Sequence, residues 1–449
     1  MSKPISSLRL FSGMFLMSGL FMSQLHGQND PSPASGGVLS SLGSLAAGDT
    51  LTYSVTASNS LIFGYSGVNG ASDSVNLSGN AGFVSSSQRH PTSFVYSGGY
   101  LFGNNGQPSS SFQNFGISQV LNTRQWTFVG SDVISYLPST PRFGLAGVPG
   151  VGDTGTLPIA TGQQSGDALL TNFGQRVTNT ASGSADYRFT NRTNINGFAG
   201  YTIQRFLGSG NIAGSGNIAG LGGIAGNGGY DSNLFNAGSQ VQHNLTAATM
   251  VGVGYSYQHA TYPSLSAFGF TSNSLLGIFQ HTFSPRLSME VSAGPQWTTG
   301  ASSSNIPGRL SVASNVSVNY NAGRNNYSIN YSRGTSAGSG VLLGALTDYL
   351  SFSGQRRFSP SWGGGFFGGY GHAQSLSIDP ALYTNTNSFT AGLQGNRRLS
   401  EHWSAYGSYA LQYQTVGQLL ATNNAFNGTV HVISFGVTYA PRPIHLGRR

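Results

Sequence analysis

Residues Asn387 to Gln414 read NSFTAGLQGNRRLSEHWSAYGSYALQYQ. Before the arginines, Phe389, Ala391 and Leu393 fall on one parity, and Thr390, Gln394 and Asn396 on the other. After them, Trp403, Ala405, Tyr409, Leu411 and Tyr413 share one parity, while His402, Ser404, Ser408, Gln412 and Gln414 take the other. Alternation of period two sends one set to each face of a sheet. The stretch therefore predicts two strands and a tight turn, with an apolar, aromatic face and a face of hydroxyls and amides. One such hairpin also suits a soluble sandwich. Recurrence decides between the two.

The unit recurs. Val251, Val253, Tyr255 and Tyr257 alternate with Gly252, Gly254, Ser256 and Gln258. Leu287, Met289, Val291, Ala293 and Trp297 alternate with Ser288, Glu290, Ser292 and Gln296. Leu310, Val312, Val316, Val318 and Tyr320 alternate with Ser311, Ala313, Asn315, Ser317 and Asn319. Strands of about ten residues are what a tilted strand needs to cross a bilayer. The turn recurs too. Asn396-Arg-Arg-Leu-Ser-Glu-His-Trp403 aligns with Gln355-Arg-Arg-Phe-Ser-Pro-Ser-Trp362, and more loosely with Gln280-His-Thr-Phe-Ser-Pro-Arg-Leu287. Such short connections alternate with long polar ones, at 208–231, 260–271, 299–308, 336–344, 377–386 and 415–428. Short turns on the periplasmic side and long loops outside characterise outer-membrane barrels. The predicted fold is all-β: a transmembrane antiparallel up-and-down β-barrel over residues 50–440, with about 18 strands (roughly 14–18). The first third is the weakest part of the pattern, with strands expected near 61–66, 76–86, 92–102, 112–121 and 124–136. Trp297, Trp362, Trp403 and Tyr439 are the expected aromatic girdle, and Glu290, Gln296 and Asn319 are expected to line the lumen.

Composition agrees. Only 7% of the 449 residues are charged and 12% are aromatic, against roughly 25% charged in a soluble domain. A disordered chain would have few aromatics. The absence of cysteine excludes disulfides and thiolate chemistry. Lys3 is the only lysine, and with Arg9 it precedes the apolar run LFSGMFLMSGLFM. Residues 1–27 thus read as a cleaved secretory signal, and 28–49 as a flexible periplasmic lead-in. The remaining 18 basic residues against 12 acidic ones give +6. These arginines are scattered, which argues against nucleic acid as a partner.

Two stretches break the rhythm. Residues 137–169 carry Pro138, Pro141, Arg142, Pro149 and Asp153, and proline has no N–H for a ladder. This is expected to be a long loop, folded into the lumen as a constriction or lying over the mouth. Residues 208–231 repeat GNIAGS, GNIAGL and GGIAGN and are expected to form a glycine-rich outside loop. A tail, 441–449, follows the last strand.

Catalysis has little to stand on. The nine histidines show no metal-ligand spacing. Glu290 and Glu401 are the only glutamates, which disfavours a glycosidase pair. A Ser/His/Asp set using His372 and Asp379 is arithmetically available but expected by chance. Asp132 and Asp186 are expected to face water in the lumen. The reading is therefore not an enzyme, and no cofactor is implied.

The chain resembles a family of uncharacterised porin-like outer-membrane β-barrel proteins of acidobacteria. The resemblance rests on Ser135-Tyr-Leu-Pro138, Gly147-Val-Pro-Gly-Val-Gly-Asp153, Tyr331-Ser-Arg-Gly334 with 338–341, and Gly436-Val-Thr-Tyr-Ala-Pro-Arg-Pro-Ile-His-Leu-Gly447. It implies an outer-membrane barrel and no established substrate. Outer-membrane strands usually end the chain on an aromatic residue read by the assembly machinery; here Tyr439 takes that place and ten residues follow. The expected function is a passive channel for small polar solutes, in contact with outer-membrane lipid. The rivals are a non-conducting structural or adhesive barrel and a barrel-embedded hydrolase.

Overall fold

The computed structural model describes residues 49–64, 72–85, 87, 89–104, 109–137, 175–207, 231–265, 268–301, 306–338, 343–378, 385–417 and 427–446. The first strands are β1 (Thr50–Phe63), β2 (Ser72–Val84), β3 (Thr92–Gly103), β4 (Ser110–Asn122), β5 (Trp126–Leu137) and β6 (Gln175–Arg188). Next come β7 (Thr193–Leu207), β8 (Ser232–Asn244), β9 (Thr249–Thr261), β10 (Gly269–Ser284), β11 (Leu287–Gly300) and β12 (Arg309–Ala322). The last are β13 (Asn325–Ser336), β14 (Ala345–Arg357), β15 (Trp362–Ser375), β16 (Asn385–Arg398), β17 (Trp403–Val416) and β18 (Gly428–Tyr439). Each pairs antiparallel with its neighbour in sequence, and β1 pairs with β18, from Val55 opposite Tyr439 to Phe63 opposite His431. Eighteen strands thus close into a barrel. Closure is what lipid demands, because an open edge would leave backbone groups with no partner in hydrocarbon.

The barrel is inside out relative to a soluble protein. Directly paired residues share a face, and the exposed face is apolar: Tyr331, Leu350, Tyr370, Phe389 and Tyr413 lie in one register row across β13–β17. The opposite face carries pairs of hydroxyls on adjacent strands: Ser131 with Ser182 at 2.7 Å, Ser256 with Ser274 at 2.6 Å and Ser328 with Ser353 at 2.7 Å. At the closing seam, Thr56 meets Thr438 at 2.9 Å and Ser60 meets Ser434 at 2.8 Å. An apolar outer wall around a hydroxyl-lined interior is the arrangement of a transmembrane barrel.

Short and long connections alternate from the β4–β5 turn onward. The short ones share one chemistry. In the β16–β17 turn, the Leu399 and Ser400 N–H groups donate to the Trp403 carbonyl, and the Trp403 N–H donates to the Ser400 hydroxyl at 3.2 Å. Phe358-Ser359 with Trp362, Phe189-Thr190 with Thr193, and Leu245-Thr246 with Thr249 repeat it. The hydroxyl satisfies a turn N–H that has no ladder partner. The apolar residue before it points out: Phe189, Leu245, Phe358 and Leu399 are all exposed. The β12–β13 turn is tighter and uses Gly323 at φ 65°.

The tail after β18 is not loose where it is described. The Arg442 guanidinium contacts the Glu401 carboxylate in the β16–β17 turn, at 2.6 Å. Ile444–His445 forms β19 and pairs with Thr50–Leu51 at the base of β1. The tail therefore extends the β1–β18 seam. The proposed leader and lead-in lie outside the described residues, apart from Asp49, whose carbonyl accepts from the Leu446 N–H.

Candidate functional site: the barrel interior and its outer mouth

The inner face mixes polar and apolar side chains and carries few charges. Among the described residues of the inner face, Asp186 and Glu290 lie near the inner end. Arg176 and Arg309 stand at the outer rim, and Arg188, Arg357 and Arg398 at the inner rim. Between the rims Ser, Thr, Asn, Gln and Gly share the face with buried apolar side chains, among them Val95, Ile278, Phe367, Ala410 and Val432. Asp186 is held by the Asn196 amide at 2.7 Å. Asn319 and Gln296 are also on the inner face, Asn319 opposite Ser288 and Gln296 opposite Ser311. On β16–β18 this face is closely covered, and Gln412, Gln414 and Ser434 have no exposed surface.

The outer mouth is narrowed by four of the long connections, those after β9, β11, β13 and β15. Above Arg333 and Asp348, β13 and β14 lean over the opening. Thr335 shares the parity of outward-facing Arg333, yet it reaches inward after Gly334. Its hydroxyl donates to Gln258 Oε1 on β9, at 3.0 Å, and accepts from Gln296 Nε2 on β11, at 3.1 Å. These residues are on strands two and four apart, so the link bridges part of the mouth. Above it, Leu234, Phe270, Ile306, Ala337, Leu346 and Leu376 form a buried apolar cluster. Tyr262, Leu265, Phe268 and Leu343 form a second. The connections after β9, β11, β13 and β15 contribute to these clusters, which cap the β8–β15 side. The Tyr262 hydroxyl donates to the Ala337 carbonyl at 2.7 Å. Burial pushes this phenol above its usual range. Apolar residues scattered through polar loops give no periodic signal, so only their convergence in space reveals the cap.

The sequence-based site residues fare as follows. Pro138, Pro141, Arg142, Pro149 and Asp153, the expected constriction, lie outside the described residues. Trp297, Trp362 and Trp403 are exposed on the outer wall. Trp362 and Trp403 stand at the inner end and Trp297 at the outer end; Trp403 packs on Tyr439 with ring centroids 5.0 Å apart. The Arg397 guanidinium lies over the Trp362 ring at 5.1 Å, a cation–π arrangement. The expectation for Asp132 fails. It is paired with Ile117 and Ala181 on the outer face, because β5 places Trp126, Phe128 and Ile134 on the same parity. His372 is also on the outer face, bonded to Asn387 Oδ1 at 2.8 Å, and Asp379 lies outside the described residues. No three metal-ligating side chains gather among the described residues.

No family model matches the chain, and no curated protein is similar to it in sequence. Among solved structures it is similar to Pseudomonas aeruginosa OpdQ, with 10% identity over 88% of this chain and 99% of that one, TM-score 0.41. It is similar to Pseudomonas aeruginosa OccK2 (OpdF) in complex with glucuronate, with 11% identity over 89% and 100%, TM-score 0.43. It is also similar to the FrpB iron transporter from Neisseria meningitidis, with 7% identity over 87% and 81%, TM-score 0.41. Likeness at these values carries no argument about solute or mechanism. By its own geometry the chain is a closed 18-stranded antiparallel barrel with an apolar outer wall.

Proposed function

We propose that the protein is a passive outer-membrane channel for small polar solutes. The observation that carries this reading is an inner face that bears many hydroxyls and amides, with its few charges toward its two ends, enclosed by an apolar outer wall. At about 18 strands a barrel is wide enough to hold water. A path bordered by Gln258, Gln296, Thr335, Glu290 and Asn319 offers hydrogen bonds and little field, so it favours uncharged solutes over either ion sign. The acidobacterial porin-like family, the assembly machinery as a partner and residues 137–169 as a further constriction belong to the same proposal.

A second reading has its own support. The buried mouth clusters and the covered Gln412, Gln414 and Ser434 suit a barrel that does not conduct. Single-channel recording in planar bilayers separates the two. The channel reading expects stepwise, weakly ion-selective conductance from the refolded barrel. A folded barrel that inserts without conductance supports the structural one.

A further inference from the structure

Asp132 is an acid on the lipid-facing wall. It lies in register between Ile117 and Ala181, and its carboxylate accepts from the Asn179 amide, also outward-facing, at 2.6 Å. Trp126 sits at the inner end of β5 and Tyr136 near its outer end. At roughly 3.3 Å per residue along a strand tilted about 40°, Asp132 stands ~15 Å above Trp126 and ~10 Å below Tyr136. That is hydrocarbon depth, where an ionisable side chain is costly unless something covers it.

The wall around it is bare. Gly130 pairs directly with Gly183. A side chain would meet nothing within 4 Å at Gly130, and at Gly183 only the Val129 carbonyl at 3.7 Å. Some outward glycines are roofed, with Phe366 over Gly354, Phe358 over Gly364 and Phe352 over Gly368, whereas Gly79, Gly277 and Gly395 are open in the same way. Ala181, Gly197, Ala199 and Ala237 continue the depression over β6–β8. Gln119, exposed and opposite Gly130, adds a second amide beside it.

We propose that the outer face of β4–β8, centred on Asp132, is the contact between two copies of this chain. The patch is self-complementary. It holds an acceptor with free lone pairs in Asp132 and a donor with a second N–H in Asn179. Two copies facing each other across a two-fold axis satisfy both, as an isologous interface requires. The small floor lets the walls approach closely, as small residues do between membrane segments. Hydrocarbon tails fill the depression but leave the carboxylate unmet.

The chain has no cysteine, so single cysteines report directly. Ala181→Cys lies in the patch; Leu350→Cys, exposed on β14, lies on the opposite wall. A short bis-maleimide applied to the barrel in lipid vesicles is expected to give at least ten-fold more covalent dimer from Ala181→Cys than from Leu350→Cys. Gly183→Phe, for which the wall has room, is expected to abolish that dimer with the β-sheet circular dichroism unchanged. If Gly183→Phe does not fold, Asp132→Leu replaces it, with loss of the dimer again expected. Equal dimer from both cysteines, or none from Ala181→Cys, overturns the proposal. So does a native complement that links Ala181→Cys to a different protein, or dimer that persists in the folded variants.

Discussion

Tyr262 joins two loops that meet over the lumen, and its bond to the Ala337 carbonyl is buried with it. Removing a hydroxyl from such a pair costs about 1 kcal/mol and leaves the carbonyl with only the Gly344 N–H, at 3.4 Å. Tyr262→Phe is therefore expected to speed hydrogen exchange at the Gly344 and Leu376 amides, which bond within the same cap, with wall amides unchanged. The pH dependence has a definite sign. The phenol is raised above its ordinary value of 10.0 by burial, so its contribution is complete below pH 10 and is lost as pH rises further. Exchange of the cap should accelerate above pH 10 in the parent and not in Tyr262→Phe. The two faces of the wall give a sharper contrast. Ile329 is 52% exposed on the outer face, and Asn330 beside it faces in. Ile329→Arg is expected to destabilise the barrel by about 2–4 kcal/mol, and Asn330→Arg by far less, as read from denaturant unfolding in lipid vesicles.

At the scale of elements, the hairpin from Asn387 to Gln414 was legible almost to the residue. Its strands run Asn385–Arg398 and Trp403–Val416. The regular alternation from Met250 onward was equally plain, because most outward residues there are large and apolar and most inward ones are small or polar. Strand signal was expected from about Thr50, but weakly, and the first strand was delimited only as 61–66, whereas it runs Thr50–Phe63. Its outward residues include Ala57 and Asn59, which weaken the contrast. The hydroxyl-capped turn was seen where Arg-Arg and Trp mark it, and missed at Thr190 and Thr246. The signal that finds them is an apolar residue followed by Ser or Thr, with the next strand starting three residues on. The tail was expected only as a segment after the last strand; Arg442 and Ile444–His445 bind it to the turn and to β1. Arg442 holds the Glu401 carboxyl below its ordinary range. Its attraction is therefore present near neutral pH and is lost as pH falls through the region below 4.5. Deleting 444–449 is expected to raise the unfolding rate of the barrel, because the seam is where it must open. Glu401→Gln should act in the same direction more weakly, since the pair is exposed.

For the whole molecule, alternation and composition sufficed to identify a closed barrel in lipid, since both follow from one face meeting hydrocarbon and the other not. The mouth was not legible. Residues such as Leu234, Ile306 and Leu376 are far apart in sequence and gather only because β9–β15 carry their loops to one side. Asp132 was misread because strand polarity was assigned from residue type, whereas its face is set by Trp126, Phe128 and Ile134. The account's central claim is that the enclosed polar space passes small uncharged solutes. Liposome swelling with the refolded full chain tests it most directly. We expect rapid swelling in small neutral sugars, with little preference between small anions and cations, and slowing as solute size increases. Absence of swelling with every solute, from vesicles shown to hold the folded barrel, would contradict it.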